Sequence, residues 1–146
     1  MFQRFKAYLR NFSTTLLTEG LSPASAAAAI FWGIFIGILP IYGLQTLAAI
    51  GVAYLLRLNK PLTLAATFIN NPLLLPPTVV AAIELGGFLR TGSFRSLHMS
   101  AFSGALMKEQ LVSWVLGSLV LGVALGAAAA LFTAAVVYKL APTRRS

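Results

Sequence analysis

The stretch "FINNPLLLPP", Phe68 to Pro77, places two adjacent amides and three prolines inside an otherwise apolar run of chain. In water this would be an ordinary loop. In lipid, each backbone group released by such a break costs several kcal/mol unless protein or water satisfies it. The solvent around this chain therefore decides how the break must be built.

Composition settles the class. The 146 residues are 58% hydrophobic and only 10% charged, with a mean hydropathy of +0.85. Soluble domains carry about 25% charged residues, so this chain lacks the polar surface to cover a water-soluble globule. Its net charge of +8 arises from 11 basic residues against 3 acidic ones. The bases lie in short clusters between apolar runs, where membrane proteins keep them, and not in one patch on a polar scaffold. Nucleic acid is therefore not expected as a partner. The absence of cysteine excludes disulfides, thiol catalysis and thiolate metal sites.

Working outward from the opening stretch, the chain divides into segments. Phe2, Phe5, Leu9, Phe12 and Leu16 recur at spacings of three and four, with Arg4, Lys6 and Arg10 on other faces. This predicts an amphipathic helix over residues 1–20, lying in the membrane interface. No apolar core of signal-peptide length adjoins these bases, so a cleaved signal is not expected. Residues 21–146 form one membrane domain. Ser22 and Pro23 mark a helix start, as cap and first-turn residue.

From Ala24 to Leu56 no residue is charged, and "GILPIYG" interrupts the run at residues 37–43. Two arms of about 15 residues reach little over 20 Å, short of a hydrocarbon core of about 30 Å. Residues 24–56 are therefore expected to form a re-entrant hairpin, or one broken helix with an interfacial extension. A second apolar run, broken at the opening stretch and closed by Arg90, is expected to form a second hairpin over 61–90. "FIGILPIYGLQTLAAIGVAYLLR" from Phe35 aligns without gaps to "FINNPLLLPPTVVAAIELGGFLR" from Phe68. A true repeat and chance similarity between apolar segments both stay open. Paired, proline-interrupted apolar segments are the feature that marks binding sites in transporters.

Residues 91–110 form an amphipathic connector. Residues 111–140 are proline-free, rich in Gly and Ala, and apolar except for Lys139, which predicts a long transmembrane helix. Its Gly117, Ser118, Gly122 and Gly126 suit close helix packing within the chain. The expected fold is thus an all-α integral membrane protein. It combines two proline-broken, re-entrant-like hairpins, this C-terminal helix and the N-terminal interfacial helix.

The ordered set Gly33, Gly37, Pro40, Gly43, Gln45, then Arg57 and Asn59, then Asn71-Pro72 and Leu85-Gly86, resembles the domain-of-unknown-function family 2062. The resemblance covers roughly residues 22–140 and implies a small protein of the bacterial inner membrane. Two departures stand out. Leu73-Leu74-Leu75 replaces a threonine soon after Asn-Pro, and Glu84 replaces an aromatic residue before Leu-Gly.

Catalysis is not expected. His98 is the sole histidine, aspartate is absent, and Glu19, Glu84 and Glu109 stand apart, so no nucleophile–base–acid set can be assembled. Neither a metal nor a cofactor is expected. A binding site is expected where the two breaks expose polar groups: Pro40, Gly43, Gln45 and Thr46 from the first, Asn70, Asn71 and Pro72 from the second. The same amides would equally cap broken helix ends, and both readings stay open. Glu84 has no charge within five positions on either side, which suits a pathway group or a structural pair with Arg57 or Arg90. Those two arginines end equivalent arms and are candidates for headgroup contact or charge pairing.

The function expected from these residues is a small transporter or flippase-like protein acting on an anionic lipid or a polyprenyl-phosphate carrier. One chain has few helices to enclose a path, so a homo-oligomer is expected. The alternative is a non-transporting membrane scaffold for an envelope-synthesis enzyme. If both broken runs are hairpins, the joints up to Arg95 share the cytoplasmic face.

Overall fold

The computed structural model describes residues 22–69, 71–94 and 104–140, with side chains in the last segment from 110 to 139. Among these residues there are five helices and no strand: α1 (Pro23–Ile38), α2 (Gln45–Leu55), α3 (Lys60–Thr67), α4 (Leu75–Thr91) and α5 (Gly104–Leu140). The expected interfacial helix over residues 1–20 lies outside the described residues.

Local chemistry sets the helix ends. Ser22 Oγ accepts the Ser25 N–H at 3.1 Å, with Pro23 in the first turn, as the sequence suggests. Asn59 does the same for α3, its Oδ1 accepting the Leu62 N–H at 2.9 Å ahead of Pro61. Gly92, at φ 72°, closes α4 in the left-handed conformation that ends many helices.

The contacts fix the sense of each helix. Phe35 of α1 lies against Gly122 of α5, and Phe31 against Gly126, so these two helices are antiparallel. Gly33 meets Thr63 and Ala66, and Gly37 meets Thr67, so α3 runs parallel to α1. Between them α2 folds back. It starts where the Gln45 side chain reaches the end of α1, and Leu58 beyond its far end packs on Ala26, Ala29 and Leu62. Gly117 meets Ala82, and Arg90 reaches Ser113, so α4 is also antiparallel to α5.

This arrangement corrects the second hairpin. The chain does break near Asn71-Pro72, but α3 and α4 run in the same sense and barely touch. After the break the chain thus resumes in the same sense, and α4 is not an arm that returns along α3. The expected packing of two hairpins on each other is absent for the same reason. The unit α1–α3 packs mainly through α1 on one part of α5, and α4 packs on another.

Alanines fill much of the inside, beside Ile34, Ile36, Ile38, Leu62 and Ile83, and many large apolar side chains lie outside. Ala26, Ala29, Ala49, Ala53, Ala66 and Ala82 are buried, while Leu55, Leu73, Leu131 and Phe132 are each more than 70% exposed. Thr63 and Ser118 are the largest fully buried side chains, and their hydroxyls donate to the carbonyls of Asn59, the cap of α3, and of Val115, each at 2.9 Å. Helices meet backbone to backbone. A Cβ on Gly86 would collide with the Ser113 carbonyl and stand 2.9 Å from the Gly117 nitrogen. One on Gly117 would collide with the Ala82 carbonyl. The expected role of Gly117, Ser118, Gly122 and Gly126 in packing within the chain is what the contacts show. Within residues 110–139 an 18-residue stretch has a mean hydropathy of 2.3, and α5 is the one described helix long and apolar enough to cross a membrane.

Gly87 separates backbone approach from helix propensity, since a Cβ there meets nothing within 4 Å. Gly86→Ala is expected to destabilise by about 3 kcal/mol through forced separation of α4 and α5. Gly87→Ala is expected to stabilise by about 0.5–1 kcal/mol through helix propensity. Thermal loss of helical circular dichroism in detergent measures both.

Candidate functional site

The first break begins where Leu39 leaves α1 in an extended conformation, at ψ 142°. Pro40 has no N–H to lose. The Ile41 N–H bonds to the Leu39 carbonyl at 2.8 Å and the Leu44 N–H to the Ile41 carbonyl at 3.0 Å. Gly43 permits this turn at φ 85°, where a side chain would be strained. Gln45 then turns back, its Nε2 donating to the carbonyls of Gly37 at 3.1 Å and Leu39 at 3.3 Å. These are carbonyls at the C-terminal end of α1, where helical partners run out. Gln45 is therefore a cap. Thr46 is exposed on the first turn of α2, a turn that no side chain caps.

At the second break every backbone donor can be followed from Pro72 to Thr78. Pro72, Pro76 and Pro77 have none. Asn71 Oδ1 accepts the N–H groups of Leu73 and Leu74, each at 3.0 Å. The Asn71 carbonyl accepts Leu75 at 2.9 Å, and the Leu74 carbonyl accepts Thr78 at 3.1 Å. The start of α4 thus satisfies its own donors, and Asn71 does so in part with the side chain expected to meet a ligand. Asn70 lies outside the described residues.

The breaks lie side by side. A Cβ on Gly37 would be 2.7 Å from the Thr67 carbonyl, so α1 and α3 end together. Tyr42, within the first break, packs its ring 5.8 Å from that of Trp114 on α5. The breaks are therefore level with the part of α5 between Trp114 and Gly122, in the N-terminal half of its apolar stretch. Glu84 and the two arginines have different settings. Glu84 is half-buried on α4 between Ile83 and Leu85. Arg90 Nη1 donates to Ser113 Oγ at 3.0 Å near the end of α4. Arg57 follows α2 at the far end of the α1–α3 unit, at φ 55°. Arg57 and Arg90 thus lie at opposite ends of the molecule, not on equivalent arms.

A family model of uncharacterized proteins conserved in bacteria, DUF2062, matches residues 6–146. The chain belongs to this family. No curated protein and no solved structure matches it. Several residues that carried the resemblance now have physical places in the DUF2062 chain. Gly33 and Gly37 admit α3, Gln45 caps α1, Asn59 caps α3, Asn71 caps the turn into α4, and Gly86 admits α5. Sequence reasoning missed Ser113 and Trp114, whose partners Arg90 and Tyr42 are remote in sequence. It also missed the capping role of Asn59, although an asparagine before Lys-Pro is a recognisable cap signal.

Asn71→Ala is expected to cost about 1 kcal/mol, as for other lost caps, whereas Asn71→Asp keeps the acceptor and the stability. Arg57→Gly is expected to gain about 0.5–1 kcal/mol, because glycine takes the left-handed conformation without a Cβ penalty. Detergent thermal unfolding of the three variants checks both expectations.

Proposed function

We propose that this chain is a small transport or flippase-like protein of the bacterial inner membrane, working as a homo-oligomer on an anionic lipid or a polyprenyl phosphate. The observation that carries this reading is the pairing of two chain breaks inside the apolar stretch of α5. Irregular backbone at such a depth is tolerated where it is buried in protein or lines a cavity, and interrupted helices there are a recurring device of transporters. The many exposed large apolar side chains and the close backbone contacts at glycine support the membrane setting, because lipid accepts apolar groups outside and helices there pack through small residues.

Within the junction the start of α2 suits an anion better than the start of α4. The α4 donors are already bonded or replaced by proline, whereas Gln45, Thr46 and Leu47 form a first turn without a side-chain cap. A helix start of this kind combines N–H groups with the positive end of the dipole. The headgroup phosphate would sit at the start of α2, with Asn71 of the second break and Glu84 of α4 as further candidate contacts.

A second reading, a non-transporting scaffold for an envelope-synthesis enzyme, is favoured by one observation. Gln45 and Asn71 both cap their own backbone, which requires no ligand.

Intrinsic fluorescence separates the two, because Trp114 adjoins the first break. A short-chain polyprenyl phosphate is expected to change the emission of purified protein, and the uncharged polyprenol is not. Asn71→Asp should weaken the phosphate response by about tenfold or more through charge repulsion while melting at the same temperature. An equal response to the polyprenol, or an unaffected Asn71→Asp protein, would leave the scaffold reading in place.

A further inference from the structure

The described cations are not spread evenly along the molecule. Leu58 and Val137 pack on one cluster with Ala26, Ala29 and Leu62, so the start of α1, the α2–α3 turn and the end of α5 meet at one end. Exposed Arg57, Lys60 and Lys139 are all borne there. Tyr54 and Tyr138 flank them at 73% and 78% exposure, and Lys60 Nζ lies 5.2 Å from the centre of the Tyr54 ring. Glu84, the one acidic side chain among the described residues, belongs instead to α4. In chain order Arg4, Lys6 and Arg10 lead towards the start of α1, and Arg144 and Arg145 follow the end of α5. At the opposite end Arg90 is the one described cation, with Arg95, Lys108 and the acidic Glu109 in the neighbouring segments.

We infer that the end bearing Arg57, Lys60 and Lys139 docks on the anionic phosphate layer of the cytoplasmic leaflet, with the Arg90 end at the opposite face. This orientation rests on the membrane reading above. Cytoplasmic segments carry the excess of Lys and Arg, and anionic headgroups attract them. Exposed tyrosines at the same level suit the headgroup boundary, where an apolar ring with a polar tip belongs. The α2–α3 turn and the end of α5 then share the inside, and residues 92–94 lie outside. The topology drawn from two hairpins, with Arg57 and Arg90 on one face, is replaced because α3 and α4 run in the same sense.

The chain has no cysteine, so single introduced thiols report cleanly. Lys60→Cys and Tyr138→Cys mark one end and Ser93→Cys the other, each in the full-length chain. An impermeant maleimide should label Lys60→Cys and Tyr138→Cys in inverted vesicles and leave both unlabelled in spheroplasts. Ser93→Cys should show the reverse. Labelling of the first two from outside the cell, or of all three from one face, would overturn the orientation while leaving a membrane protein. Release of the chain by alkaline carbonate would instead sink the membrane reading itself, and the orientation with it.

Discussion

Backbone groups freed at a helix break must find partners, and this constraint governs the structure more than any side-chain contact. The second break meets it within seven residues. Asn71 supplies two acceptors, and three prolines remove the donors that would otherwise need them. The first break meets it differently, by returning Gln45 to the carbonyl end of α1. Once both breaks are self-satisfied, short helices can end level with the apolar stretch of α5. The chain can then combine a folded-back pair and an interrupted helix within 146 residues.

The second constraint is proximity. Helices that bury alanine and glycine gain little from water-driven packing, so their contacts depend on how closely backbones approach. Gly33 and Gly37 against α3, Gly86 against Gly117, and Gly122 and Gly126 under the rings of Phe35 and Phe31 all meet this requirement. In each helix pair the small residues recur four apart on one helix, which puts them on one face. This is why α5 serves two neighbours. Ser113 and Gly117 receive α4, and Gly122 and Gly126 receive α1.

Much of this was legible in the sequence because it is local. Ser22-Pro23 announces a helix start, Pro40 and Pro72 announce breaks, and the Gly/Ala/Ser spacing in α5 announces packing faces. The direction in which the chain resumes after a break was not legible. Proline and asparagine in "NNPLLLPP" report that hydrogen bonding is interrupted, but the return or continuation of the helix is set by Gly86 meeting Gly117, thirty-one positions away. The functional reading met a related limit. An amide beside a break has the same chemistry as a cap or as a ligand group, and only the observed acceptor of Gln45 and donors to Asn71 show which carbonyls and N–H groups they serve. Arg90 and Ser113 carry no mutual signal at all at a separation of twenty-three.

The division of α5 between two neighbours also orders the assembly of the chain in time. Helices α1, α2 and α3 touch one another, so they can pack as each emerges during synthesis. Helix α4 barely touches any of them and finds its surface on α5, at Ser113 and Gly117 among others, which are made later. Until then Ala82 and Gly86 wait without a partner, held by a turn that Asn71 has already closed. The self-contained break is thus what keeps a nascent, unpacked segment in shape until the last helix arrives.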